Sequence, residues 1–315
     1  MNRIGSLRRI GAIAAAVMAA GALVAASPAL SQQQGKLKVG LMLPYTGTYA
    51  ALGNAITNGF KLAIEENGGK VAGREIEYFV VDDESDPAKA PENANKLIKR
   101  DNVDVMVGTV HSGVALAMSK VARDNNTLLI IPNAGADDIT GPLCAANVFR
   151  TSFSNSQLGI AMGKVMADQK KKTAVTITWK YSAGEESIGG FKETFEAGGG
   201  KVVKELFLPF PQVEFQPLLT EIAALKPDVY AMQGYDAAQL LIVGMNAVKG
   251  DTGKRAELVA AMGAAKLDSP RGSLALNKGH NPIHDIYLRK VEGKENKYVS
   301  VAIKNLTDPP RGCKL

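Results

Sequence analysis

The stretch KLKVGLMLPYTGTYAALG, residues 36–53, decides how the rest of the chain is read. Val39, Leu41, Met42 and Leu43 form an apolar run that reads as a strand buried on both faces, and Pro44 stops it. Thr46, Gly47, Thr48 and Tyr49 make a polar turn. An amphipathic helix then starts at once, with Leu52, Ile56, Phe60, Ala63 and Ile64 at helical spacing. A strand that feeds a glycine-containing turn and then a helix opens a parallel α/β sheet. Small molecules bind such sheets at the carboxyl ends of the strands, which places this first turn in the wall of a ligand cleft.

The same unit recurs along the chain. Residues 75–81 read as a second strand and 88–100 as its helix. Residues 103–107 and 114–123 form the third pair, and 127–131 the fourth strand. A short crossing strand follows at 148–151. A second series then begins: helix 157–167, strand 173–179, helix 185–197, strand 201–208 and helix 215–225. Two lobes of one α/β architecture follow from this repetition. KPDVYA at 226–231 reads either as a strand or as the lead-in to an amphipathic helix at 235–248. A helix is expected at 251–265, and a hairpin from 285–291 to 298–303.

Composition bounds the function. The 315 residues are 46% hydrophobic and 22% charged, enough for two modest domains. Arg3, Arg8 and Arg9, an apolar run at 10–26, and Ala29 and Ser31 as small residues before a cleavage point read as an exported leader spanning 1–31. Losing its three arginines takes the formal charge from +6 to +3. The remaining lysines are scattered, so nucleic acid is not an expected partner. No other stretch is long and apolar enough to span a bilayer. Cys144 and Cys313, in an oxidising compartment, read as a bridge tying the tail to the middle of the chain, with two free thiols as the alternative.

Three clusters invite chemical readings. Asp82, Asp83, Glu84 and Asp86 crowd a strand-to-helix turn; helix capping explains them better than a metal, because oxygen-ligand spacing is absent. Ser112 beside Gly113 at a helix start offers a hydroxyl and backbone N–H groups, a seat for a carboxylate as well as a plain N-cap. His111 adjoining Ser112, or Ser112 with a distant His280 or His284, is the weaker hydrolase reading; G-x-S-x-G does not occur. The first turn lacks G-x-G-x-x-G, which argues against a dinucleotide, and no cofactor is expected. Trp179 reads equally as core or as a ring facing the cleft.

LPYTGTYAALG with the following NGFKLA helix, the D-D-x-x-D-P turn at 82–87, GTVHSGVALAM, IIPNAGAD, LCAANVFRTSFSNSQ, QGYDAAQLL, SPRG, HNPIHDIYLR and the terminal RGC carry a resemblance across nearly the whole chain after the leader. The chain resembles the periplasmic solute-binding proteins of ABC importers, of the branched-chain amino acid type. The PNAGAD and HNPxxDIYLR wording is similar to a subgroup that takes aromatic acids. The resemblance implies a type I periplasmic-binding-protein fold: two doubly wound parallel-sheet lobes, joined by three crossings, that close on a ligand. The first lobe is expected over 36–150 with the return of about 250–282, the second over 151–249, and C-terminal strands and tail over 283–315. It further implies that His111, Ser112 and Gly113, with Asn133, Ala134 and Gly135, hold a ligand carboxylate. Tyr49 and Leu52 line the cleft from the first turn, and Tyr181 and Ala183 from the second lobe. Where amino-acid binders carry a Tyr, Leu52 stands here, which favours an apolar carboxylate over an amino acid.

The resemblance implies a monomer working with a membrane permease, without catalysis. Sensory domains on the same fold are the competing function. One departure stands out: about two strand–helix units that relatives carry between KPDVYA and QGYDAAQLL are absent. A shortened second lobe that binds ligand weakly or not at all is therefore also expected.

Overall fold

The computed structural model describes residues 35–212, 214, 243–269, 272–292, 295–308 and 312–315. The leader, the expected helix at 215–225, the KPDVYA junction and most of the helix expected at 235–248 lie outside the described residues; 243–247 are helical.

The first sheet grows outward from β1 (Leu37–Leu43), whose residues are buried almost throughout. β1 lies parallel to β3 (Arg74–Asp82) on one side and β4 (Val105–Val107) on the other. β4 pairs parallel with β5 (Leu128–Ile131), and β5 with β6 (Val148–Arg150). A two-residue strand, β2 (Lys70–Val71), closes the edge antiparallel to β3, giving the order β2-β3-β1-β4-β5-β6. Successive strand side chains point to opposite faces. Leu37, Val39 and Leu41 accordingly meet Phe60, Ala63 and Ile64 of helix α1 (Ala50–Glu66), while Met42 and Met106 meet Ala94, Val114 and Met118 on the other face. That second face is covered by α2 (Ala90–Asn95), which runs into a wider turn through Arg100, and by α3 (Ser112–Asp124). A sheet covered on both faces is what continuous apolar strands require.

Distant sequence completes the first face. Met245, Val248, Leu258, Met262, Leu267 and Leu274 join the cluster around the β1 residues Leu37, Val39 and Leu41. They come from 243–248, from helix α7 (Arg255–Gly263), and from β9 (Lys266–Ser269) and β10 (Gly272–Leu276). β9 and β10 continue antiparallel into the long ribbon of β11 (Pro282–Glu292) and β12 (Glu295–Leu306), the hairpin expected from alternation.

α1 must start close against the end of β1. A Cβ at Gly53 would lie 1.8 Å from the Pro44 carbonyl oxygen. Gly53→Ala is expected to destabilise the protein by about 1–3 kcal/mol through overpacking. The check is a thermal melt; an unchanged Tm would mean that the helix slides off the strand end at no cost.

The second series supplies α5 (Asn155–Asp168), β7 (Thr173–Trp179), α6 (Ser182–Ala197) and β8 (Lys201–Leu208). β7 and β8 pair in parallel, and among the described residues they are the whole of this sheet. α5 and α6 touch backbone to backbone: a Cβ at Gly159 would sit 2.0 Å from the Ser187 carbonyl oxygen.

Among the described residues, chain crossings at 150–155, 277–282 and 306–308 join the two halves, and two polar side chains tie these three. Gln157 Oε1 accepts from Ser154 N–H (2.6 Å) and Asn281 Nδ2 (3.2 Å), while its Nε2 donates to the carbonyls of Pro282 (3.4 Å) and Leu306 (3.2 Å). Arg150, 0% exposed, donates to Asn281 Oδ1 and the Ala136 carbonyl, each at 2.7 Å, and to Thr140 Oγ1, and faces Asp308 at 3.9 Å. Beyond this knot, Cys144 and Cys313 form the expected disulfide, with Cα atoms 5.5 Å apart.

Candidate functional site

The parallel strands of both sheets end toward the same region, and five rings meet there. Tyr49 follows β1, His111 follows β4, Trp179 ends β7, Tyr181 follows it, and Phe210 follows β8. The His111 and Tyr181 rings stack at 4.6 Å. Phe210 lies 4.8 Å from His111 and 5.4 Å from both Tyr181 and Trp179. Tyr49 lies 5.7 Å from Phe210 and 6.2 Å from Trp179. The Tyr49 and Tyr181 hydroxyls share a hydrogen bond of 2.9 Å, so the first turn of one half is linked directly to the first turn of the other. Trp179 belongs to this cluster, and its Nε1 donates to the Gln212 carbonyl at 2.6 Å.

The cap of α3 differs from the plain serine cap. His111 is the N-cap, and its Nδ1 accepts from the N–H groups of Gly113 (3.0 Å) and Val114 (3.4 Å). An extended backbone at His111 swings the ring back over the first turn, where the imidazole nitrogen reaches the amides a serine oxygen would have taken. Burial pushes the His111 pKa down to about 4. The ring is therefore neutral at pH 7, with Nδ1 accepting and the proton on Nε2.

Polar groups gather beside the rings. Asn155, at the start of α5, spreads its Nδ2 between Ser112 Oγ (3.2 Å) and Glu186 Oε2 (2.6 Å). Glu186, on α6, also accepts the Asp137 N–H at 3.1 Å, at the start of α4 (Asp137–Thr140). Burial raises the Glu186 carboxyl to about 7; Asp137 adds to the rise, while Asn155 and Arg150 oppose it. Burial likewise raises the Tyr49 and Tyr181 hydroxyls, which stay protonated.

The other expected site residues lie around these. Ser112 is buried. Asn133 is half-buried, and its carbonyl accepts from Ser152 Oγ at 2.9 Å. The Ala134 N–H donates to the Thr109 carbonyl at 3.0 Å. The Gly135 carbonyl accepts the Asn155 N–H at 2.7 Å, and a Cβ on Gly135 would lie 2.2 Å from Asn155 Oδ1. Leu52 and Ala183 occupy the first turns of α1 and α6, Leu52 36% exposed. The structure thus brings Tyr49, His111 and Tyr181 into one cluster, and Ser112 and Gly135 around Asn155.

Phe210, Asn155 and Glu186 were not among the expected site residues. Phe210 carried a usable signal, since it follows β8 just as Tyr181 follows β7. Asn155 sits within SFSNSQ, a stretch that carried the resemblance. Glu186, in a helix's first turn, reads as a partner of the helix dipole.

The acidic turn after β3 is accounted for by hydrogen bonds. Asp82 accepts from the Tyr45 N–H (2.8 Å) and Thr46 Oγ1 (2.6 Å), and Asp83 from the Ser85 N–H (2.8 Å) and Thr109 Oγ1. Asp86 accepts the Ala88 N–H at 2.9 Å. The Asp82 and Asp83 bonds fasten the turns after β1, β3 and β4 to one another.

A sequence profile described as periplasmic binding protein matches residues 36–232. The chain belongs to the periplasmic binding protein family. Among solved relatives, the chain is 42% identical to a solute-binding protein of an ABC transporter from R. palustris in complex with benzoate; the TM-score is 0.86, and the match covers 89% of this chain and 100% of that one. A solute-binding protein from Rhodopseudomonas palustris BisB5 in complex with 3,4-dihydroxybenzoic acid is 26% identical, with a TM-score of 0.81, over 88% of this chain and 99% of that one. The Leu/Ile/Val-binding protein BraC3 of Rhizobium johnstonii is 32% identical over 203 residues, 63% of this chain and 54% of that protein. The chain spans about half the length of the curated relatives it matches. The fold of this periplasmic binding protein is the type I arrangement, α/β lobes built on parallel-rich sheets. No described helix is long and apolar enough to cross a membrane.

Proposed function

We propose that this periplasmic binding protein is the solute-binding component of an ABC importer, taking a small aromatic carboxylate between its lobes in the periplasm and handing it to a membrane permease. The observation that carries the reading is the ring cluster. Five aromatic side chains from four strand ends of both halves converge, and two of them are joined by the Tyr49–Tyr181 hydroxyl bond. Aromatic faces and edges suit a planar apolar guest. Ser112 and Asn155 supply a polar end for its carboxylate, since the Ser112 oxygen accepts from Asn155 and leaves its own O–H to donate. The relative that is 42% identical was solved with benzoate, which supports the same class of ligand. This work is binding and release; neither His280 nor His284 is among the groups gathered at Ser112. His280 stacks on Phe149 at 4.1 Å.

Titration calorimetry of the mature chain with benzoate, hydroxybenzoates and leucine tests the reading. Saturable binding of an aromatic acid in preference to leucine is expected. Ser112→Ala should weaken it by roughly tenfold or more, the worth of one hydrogen bond to a charged group. A chain that melts cooperatively yet binds none of these acids would instead support the reading of a paralogue that has lost binding. The two-stranded second sheet among the described residues favours that alternative.

A further inference from the structure

A half-buried carboxylate stands beside the group assigned to a ligand carboxylate. Asn155 Nδ2 reaches Ser112 Oγ at 3.2 Å and Glu186 Oε2 at 2.6 Å, so the two oxygens lie within about 6 Å of each other. The surroundings already hold more acid than base. Arg150 on β6 is the guanidinium acting on this region, and it faces Asp308 at 3.9 Å while also acting on Asp137 and Glu186. His111, across the ring cluster, is neutral at pH 7. Tyr181, which precedes α6, is protonated. Among the described residues, Arg150 thus acts on Asp137, Asp308 and Glu186 together. A ligand carboxylate at Ser112 would set a second carboxylate within about 6 Å of Glu186 in a partly desolvated place, and like charges at that range do not both ionise freely.

We infer that an acid ligand enters this site together with a proton, taken from solvent by Glu186, so that the ligand carboxylate and the Glu186 carboxyl carry one negative charge between them. This rests on the reading of the Ser112 region as the carboxylate seat. Among the described residues, the hydrogen bonds to Glu186 fall on Oε2, which leaves Oε1 to carry the proton. The residue also separates ligand classes. An aromatic acid without an ammonium group raises the proton affinity of Glu186. An amino acid places an ammonium group within its reach and lowers it. Proton uptake and proton release therefore report two different guests.

The test is titration of the whole mature chain with benzoate at about pH 6 and about pH 8.5, each in two buffers of different ionisation enthalpy, which yields the protons exchanged per ligand. Uptake approaching one proton is expected at the higher pH and little at the lower. The affinity should fall by up to about tenfold per pH unit above pH 7. Glu186→Gln keeps an oxygen for the Asp137 N–H and Asn155, and should bind benzoate with a flat pH profile and no uptake. Binding without uptake at the higher pH, uptake that persists in E186Q, or proton release overturns the inference. If E186Q does not fold, the wild-type proton count decides alone. Absence of binding at both pH values overturns the reading beneath the inference, and the inference with it.

Discussion

Arg150→Met is expected to destabilise the protein by about 3–5 kcal/mol at neutral pH. The guanidinium is fully buried and holds Asn281 from the second crossing, the Ala136 carbonyl and Thr140 at the two ends of α4, and Asp308 from the third crossing. Methionine fills much of the volume but leaves Asp308 buried without a cation. Burial has already raised the Asp308 carboxyl above the ordinary carboxylate range, with Arg150 as the opposing influence. Removing Arg150 raises it further. The folded variant then holds a proton that the unfolded chain releases, so its stability falls as pH rises through the carboxylate range. The deficit should be full near neutrality and shrink in acid. Urea unfolding at two pH values measures both parts. Asp308→Asn placed on top of Arg150→Met removes the orphaned charge and should recover part of the loss; a double variant no better than the single one would mean that the charge pair is not what makes Arg150 matter.

Cys144→Ala with Cys313→Ala is expected to cost about 5 kcal/mol, the loop-closure entropy for a long enclosed chain. The cysteines are 169 residues apart, so the bridge restricts the unfolded chain across more than half its length. Its effect should also be felt at the hinge. Cys313 lies five residues beyond Asp308, and Cys144 four beyond Thr140, so the bridge borders the two groups that hold Arg150. Denaturant midpoints of wild type with and without reductant, and of the double alanine chain, supply the comparison. Equal midpoints throughout would show that the bridge ties down a tail whose freedom the unfolded chain never gains.

The strands and the first helix were readable because their signals are local. β1, β5, β7 and β8 are apolar or alternating runs with clear stops, and α1 keeps its spacing through Ile56, Phe60 and Ile64. The acidic turn after β3 was read as helix capping, but the α2 N-cap is Lys89 without a side-chain bond; the carboxylates instead accept the N–H groups of Tyr45, Ser85 and Ala88, which hold the turns in shape. The α3 cap was harder, because a histidine can close a helix only when the backbone turns its ring inward, which no spacing rule states. The hinge knot was not readable at all. Arg150, Gln157, Asn281 and Asp308 are ordinary polar residues, and each has a partner more than a hundred positions away on another crossing. Tyr49, His111 and Tyr181 were expected at strand ends and meet there. Glu186 escaped notice because its carboxylate acts on Asp137 in the other half and on Asn155 of a neighbouring helix rather than on its own helix.

The disulfide makes the end of the chain a passenger of the first sheet, since Cys313 is fastened to Cys144 between α4 and β6. A fluorophore on Lys314 would therefore stay with that body. A second dye at Gly189 on α6, where an added Cβ meets no atom within 4 Å, would ride on the other. Energy transfer between the two dyes would give the molecule an optical readout of its own opening and closing.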